Sequence, residues 1–302
     1  MSGALWALAA GLGFGLFQAL NRRAVQGMGI MVATFLQLLV SALVLATASA
    51  LTEDVGRLAN APASAWIAFA IAGLLHFFIG WTFMNASQKR IGAARTSLLI
   101  ATTPLFGALV AALTLQEIPN LVTVAGILVI VGGVYMVNEL KARARGESLA
   151  RPADEATGFR SLQFGLAAAF CWSLSPIFIR RGLQGLDSPL LGVTVGVGVS
   201  ALAYALILIF LRLRSPFEPI SFDSMAFKLV AGVLVGLSTW MRWIALDLAP
   251  VALVLALTLV SVPIVNLLSP VLVGRTVERV TRQVWVGSSL VVGGSLVLIL
   301  SR

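Results

Sequence analysis

The chain is short of almost everything that a soluble protein uses to face water. Only 11% of its 302 residues are charged, 59% are hydrophobic, and the mean hydropathy is +0.99. Soluble chains carry about 25% charged residues, so there is too little polar surface here to cover a water-soluble particle. Cysteine occurs once, at Cys171, which excludes an intrachain disulfide and any multi-cysteine metal site. Histidine also occurs once, at His76, so histidine-rich zinc or haem sites are excluded and no metal or cofactor is expected. The N-terminus lacks a basic stretch before its apolar run begins at Ala4, and it reads as a retained first span rather than a cleaved signal. No apolar run has a central Asp or Glu, because Glu117, Asp247 and Glu278 all fall at run ends. That disfavours a carboxylate-based sodium site. It also disfavours an enzyme: magnesium-dependent transferases need clustered carboxylates, and a serine hydrolase needs a base beside its nucleophile. No catalytic residue is expected.

What is present is a series of apolar runs, over 3–20, 29–51, 64–84, 91–115, 120–138, 160–179, 188–211, 226–247, 250–273 and 281–300. A bilayer core about 30 Å thick takes roughly 20 apolar residues per helix, so each run is a candidate span. The expected fold is an all-α integral membrane protein of ten transmembrane helices, with lipid as its main partner. The net charge of +9 then belongs to loops and anionic headgroups, and nucleic-acid binding is not expected. The stretch 139–159 is charged and polar, and it reads as a linker between residues 1–138 and 160–302.

Those two halves repeat. Asn21-Arg22-Arg23 resembles Ile179-Arg180-Arg181 at a displacement of 158. Trp81 pairs with Trp240, Ala86 with Ala245 and Pro104 with Pro263 at 159. Past a two-residue insertion the displacement is 161, pairing Glu117 with Glu278, Gly126 with Gly287 and Gly132-Gly133 with Gly293-Gly294. An ordered series of this kind is a duplication signal. Five spans is an odd number, so the second copy enters the membrane from the opposite side. The expected arrangement is two inverted five-helix repeats, which many secondary transporters use to build a site between halves. A fused inverted repeat fits alternating access better than a passive channel, which usually repeats around a pore by oligomerisation. The chain is expected to work as a monomer.

The layout and the stretch from Ala93 to Gly133, with its Thr-Pro in the fourth run, a Glu closing that run and Gly-Gly in the fifth, resemble the drug/metabolite transporter superfamily of the EamA type. The resemblance implies a central cavity between the halves, alternating access and export of amino acids, nucleosides or other metabolites across a bacterial inner membrane. Small multidrug relatives in that superfamily carry a glutamate in the first span, where this chain offers only Gln18. Export of lipophilic cations by carboxylate–proton exchange is therefore disfavoured. The resemblance also implies termini inside the cell. Loop charges argue the reverse: sixteen Lys/Arg flank the ends of odd-numbered runs, against five elsewhere, which sets both termini outside.

Candidate site residues follow from polar or aromatic groups deep in the runs. Arg242 either binds a substrate carboxylate or snorkels and pairs with Asp247 near the helix end. His76 is either a proton-coupling group or a neutral hydrogen-bonding residue that lines a cavity and ties helices together. His76 and Gly80 share a face of run 3, and Gly232, Gly236, Trp240 and Trp243 share one of run 8. The glycines either leave room for a ligand or let helices pack closely. The expected cavity is lined by His76, Gly80, Trp81, Gly236, Trp240 and Trp243, with Gln18, Asn266, His76 or Arg242 meeting the polar ends of a substrate. A hydrophobic or aromatic amino acid fits such a pocket, and a nucleoside or other small metabolite is the alternative.

Overall fold

The computed structural model describes residues 2–24, 28–84, 86–87, 99–144, 155–212, 221–273 and 282–300. For 22–23, 30, 137–144, 155–161, 211–212, 266, 269–273 and 282–284 it describes the backbone only. Among the described residues every regular element is helical. Ten helices carry the architecture: α1 (Ser2–Ala24), α2 (Ile30–Thr52), α3 (Ala63–Met84), α4 (Thr103–Leu115), α5 (Leu121–Ala144), α6 (Glu155–Gly185), α7 (Pro189–Arg212), α8 (Phe222–Leu248), α9 (Val251–Val273) and α10 (Arg282–Leu300). A single turn, Arg57–Asn60, lies between α2 and α3.

Helix ends follow local chemistry. Ser188 caps α7 by accepting from Leu191 N–H at 3.0 Å, just ahead of Pro189 at the first helical position. Ser221 accepts from Ser224 N–H at the start of α8, and Asn120 from Thr123 N–H at the start of α5. Gln116 ends α4 in the left-handed region, at φ 57°. Pro62 and Pro250 precede α3 and α9, where their missing N–H costs no helix bond.

Among the described residues six helices are long and apolar enough to cross a membrane, including Ser2–Asn21, Ala63–Met84, Leu162–Gly185 and Phe222–Leu248. The apolar parts of α4, α5, α9 and α10 are shorter. Run 4 was expected over 91–115; its described helix begins at Thr103 after a turn at 101–102, with Pro104 in its first turn, and 88–98 lie outside the described residues. Helix α9 is broken by a 3₁₀ turn at Thr258–Val260. Helices α5 and α6 also run into both ends of the 139–159 linker, of which 145–154 lie outside the described residues.

The outer faces display Leu43, Leu113, Leu202, Leu206 and many other large apolar side chains. In water this would be a continuous sticky surface; in a bilayer it is the lipid contact. Packing between halves is extensive. Helix α1 packs chiefly on α8 and α3 on α6; α2 meets α8 and α3 meets α7; α1 meets α9 and α4 meets α6. Helices α5 and α10, α2 and α7, and α4 and α9 also pair.

Candidate functional site

The centre of the site is made by an irregularity in α3. Residues Leu74–Gly80 form a π-helical stretch, and His76 lies within it, buried. Such stretches are uncommon and are frequent at functional sites. Gly80, one turn on, has no side chain, and a Cβ there would run into the indole of Trp172 from α6. The indole fills that space instead, and its Nε1–H donates to the backbone oxygen of His76 at 2.9 Å. Trp172 also stacks on the imidazole, with centroids 5.5 Å apart at 29°. Trp81 stands edge-on to Trp172 at 5.8 Å and to Phe17 of α1 at 5.7 Å. A continuous aromatic wall therefore runs from α1 through α3 to α6.

Arg242 of α8 completes the group. It is 7% exposed, and its Nη1–H donates to His76 Nε2 at 3.2 Å. A guanidinium has no acceptor, so Nε2 must accept and the ring carries its proton on Nδ1. That Nδ1–H donates to Ser175 Oγ of α6 at 3.1 Å, and Ser175 donates in turn to Trp172 O at 3.3 Å. His76 thus reaches both α6 and α8 through its two ring nitrogens. Arg242 is neither snorkelling nor paired with Asp247, which is exposed at the end of α8. Its Nε and Nη2 are buried, and among the described residues they find no partner; nor does Trp81 Nε1. Nε–H and Nη2–H form one edge of the planar fork, the edge that takes both oxygens of a carboxylate. Leaving charged donors unmet in a dry site costs at least about 1–3 kcal/mol each.

The other expected site residues divide. Trp240 is half-buried on α8 against the core. Trp243 packs on Phe69 of α3 at 5.6 Å and close to Gly192 and Gly196 of α7, a helix contact rather than a pocket wall. A Cβ on Gly236 would meet Ser41 Cα of α2 at 3.2 Å, so that glycine serves the α2–α8 crossing. Gln18 is exposed, and the side chain of Asn266 lies outside the described residues.

Two features were not placed in the expected site. Trp172 and Ser175 join it from α6; the depth of Trp172 in its run makes it a pocket candidate in the sequence, and Ser175 is one of several mid-run hydroxyls there. Lys228, counted as a loop charge, is 1% exposed within α8. Its Nζ donates to Asn21 Oδ1 of α1 and to Gln37 Oε1 of α2, the latter at 2.9 Å. No isolated Lys in an apolar run announces such partners, because they come from two distant helices.

The comparisons with known proteins agree with this architecture. The first half of the chain matches a described family, the EamA-like transporter family, over residues 1–139. Residues 1–139 are an EamA-like transporter domain. That domain is consistent with the drug/metabolite transporter superfamily, whose EamA-like members are multi-pass membrane transporters of small metabolites. The EamA-like family is one of transporters and not typically of enzymes. No curated protein matches. A solved structure described only as the crystal structure of a protein superposes on 100% of this chain, and on 98% of its own length, with a TM-score of 0.79 at 20% identity. That likeness is one of fold and runs along the whole chain.

Proposed function

We propose that this protein is a secondary transporter that carries a hydrophobic or aromatic amino acid across a bacterial inner membrane, by alternating access between two inverted five-helix repeats. The repeats are residues 1–138 and 160–302, joined by the linker 139–159. Helix packing supports the repeat: adding five to each helix number turns the α1–α8 contact into α6–α3, α2–α8 into α7–α3 and α1–α9 into α6–α4. The contacts α2–α7, α4–α9 and α5–α10 map onto themselves, as contacts across a pseudo-two-fold axis must. Export is the direction favoured by the resemblance to amino-acid exporters.

The observation that carries the amino-acid reading is the unpaired Nε/Nη2 edge of Arg242, held by His76 beside an aromatic wall of Trp81 and Trp172. A carboxylate satisfies the edge, and an apolar or aromatic side chain satisfies the wall. A nucleoside would find the stacking surface but brings no anion to the guanidinium. The test is uptake by proteoliposomes of labelled aromatic amino acids and of nucleosides, with and without a pH gradient. The variants are His76→Ala, Trp81→Ala, Trp240→Ala and Arg242→Ala, each normalised to folded protein. Losing a hydrogen bond to a charged group is worth about 1.5–3 kcal/mol, so Arg242→Ala should weaken amino-acid binding roughly ten- to hundred-fold. Wild-type affinity in all four variants would move the site elsewhere; nucleoside uptake indifferent to Arg242→Ala would favour the alternative substrate.

A further inference from the structure

At the end of the bundle where α1 begins and α10 stops, charged residues of the two halves are joined. The left-handed Gln116 turns the chain out of α4 and presents Glu117 to Arg180 of α6, with which it forms an ion pair. Each partner also holds a helix end. Arg180 Nε–H donates to Leu246 O at 2.8 Å, and its Nη2–H donates to Ala249 O, so the cation meets the carbonyl end of α8. Glu117 Oε2 accepts from Val251 N–H at 2.9 Å, so the anion meets the amide end of α9. Both placements agree with the helix dipoles. Two more links lie at the same end. Ser188 Oγ donates to Glu53 Oε2 at 2.6 Å, and Arg57 Nη2–H donates to Asp187 O at 2.8 Å. Four of these bonds, Glu117 to Arg180, Glu117 to Val251, Ser188 to Glu53 and Arg57 to Asp187, join residues 1–138 to residues 160–302, and the two from Arg180 to carbonyls lie within the second half.

We infer that the Glu117–Arg180 pair is the latch of a gate at this end, made when the end is shut and broken when it opens. The inference rests on the reading of the chain as an alternating-access transporter. Opening the end requires α4 to part from α6 and from the α8–α9 junction, and the pair bridges all four helices at that point. Its degree of exposure suits reversal. The Arg180 and Glu117 side chains are 24% and 17% exposed, so water can take over their hydrogen bonds as they separate. A fully dry pair left unmet on opening would cost several kcal/mol and would hold the gate shut. The α8–α9 junction ties the latch to the substrate site, because Leu246 lies four residues beyond Arg242 on the same helix.

The labelling arm of the test reads conformation without substrate, so its failure is distinct from failure of the transport reading. Cys171 is the only cysteine and lies next to Trp172, buried near the middle of α6. Its labelling by a membrane-impermeant maleimide, added to either side of sealed vesicles, reports opening from that side. A second reporter, Thr239→Cys in a Cys171→Ala background, repeats the measurement on α8. Glu117→Gln and Arg180→Gln should each raise the labelling rate several-fold from the side bearing the chain termini, and the double variant should raise it no further than the larger single effect, because both substitutions break the same pair. As a check independent of loosened folding, Glu117→Cys with Arg180→Cys in the Cys171→Ala background is joined by a short bis-thiosulfonate reagent. Transport should stop on cross-linking and return with reductant. Unchanged labelling in both single variants, additive effects of the two in equally folded protein, or full transport while cross-linked would each overturn the latch.

Discussion

His76 reaches Arg242 and Ser175 at once only because the chain around it is locally irregular. The π-helical stretch sets the imidazole, Gly80 admits the Trp172 indole, and the indole secures the His76 carbonyl. This chain of dependence gives a test at one atom. In Gly80→Ala the added methyl carbon would stand 2.7 Å from Trp172 Cδ1 and closer still to Nε1, so the indole must move. Overpacking of this kind costs about 1–3 kcal/mol. The expected result is weaker amino-acid binding together with a lower melting temperature in detergent; wild-type affinity would detach Trp172 from the site. His76 and Arg242 stand out in the sequence because a charged or imidazole group in an apolar run is costly and therefore conspicuous, and the fold brings them together. Trp172 and Ser175 are less legible, since tryptophan and serine are ordinary in spans and nothing local says that they meet His76. Trp243 and Gly236 pack against Phe69 and Ser41, and a glycine–aromatic stripe has the same spacing whether it lines a pocket or makes such contacts.

Among helices, the pairing of α5 with α10 has the reciprocal contacts that the proposed repeat requires. A Cβ on Gly133 would meet Gly287 O at 2.7 Å and Leu290 Cβ at 2.9 Å. A Cβ on Gly294 would meet Ile130 Cγ1 at 2.8 Å and Gly126 O at 3.1 Å. The displacement of 161 exchanges these two contacts, Gly133 for Gly294 and Gly287 for Gly126. Their neighbours Gly132 and Gly293 have open space around the Cβ position. Gly133→Leu should therefore lower folded yield and melting temperature, with a cost of at least about 1–3 kcal/mol. Gly132→Leu should change both by little, within about 0.5 kcal/mol. Equal effects from the two, measured by unfolding in detergent, would remove the close contact. The Gly-Gly pairs were visible in the sequence, but which glycine of each faces the partner depends on the rotation of the helix. In a span hydrophobic all round, periodicity does not fix that rotation.

For the molecule as a whole, orientation follows from where its cations lie, and the structure alters that count. Sixteen Lys/Arg stand beside the ends of odd-numbered spans and five on the other side or within a span. Lys228 and Arg242 are buried in α8 and bonded to polar groups of other helices, so neither acts as a loop charge. Fifteen against four remain. Arg180 is further engaged with Glu117 and two carbonyls, and Arg57 with Glu53 and Asp187, so the poorer side has few free cations to hold it in the cytoplasm. Loops rich in Lys and Arg stay on the cytoplasmic side, so the expected orientation has the linker 139–159 inside and both termini outside. In that orientation the latch end, where α1 begins and α10 stops, faces away from the cytoplasm. A fusion of alkaline phosphatase after Arg302 should be active in intact cells, and a fluorescent reporter that folds only in the cytoplasm should be dark at the same position. The reverse pair of results would refute the charge argument, turn the latch towards the cytoplasm and agree with the topology that the family resemblance implies.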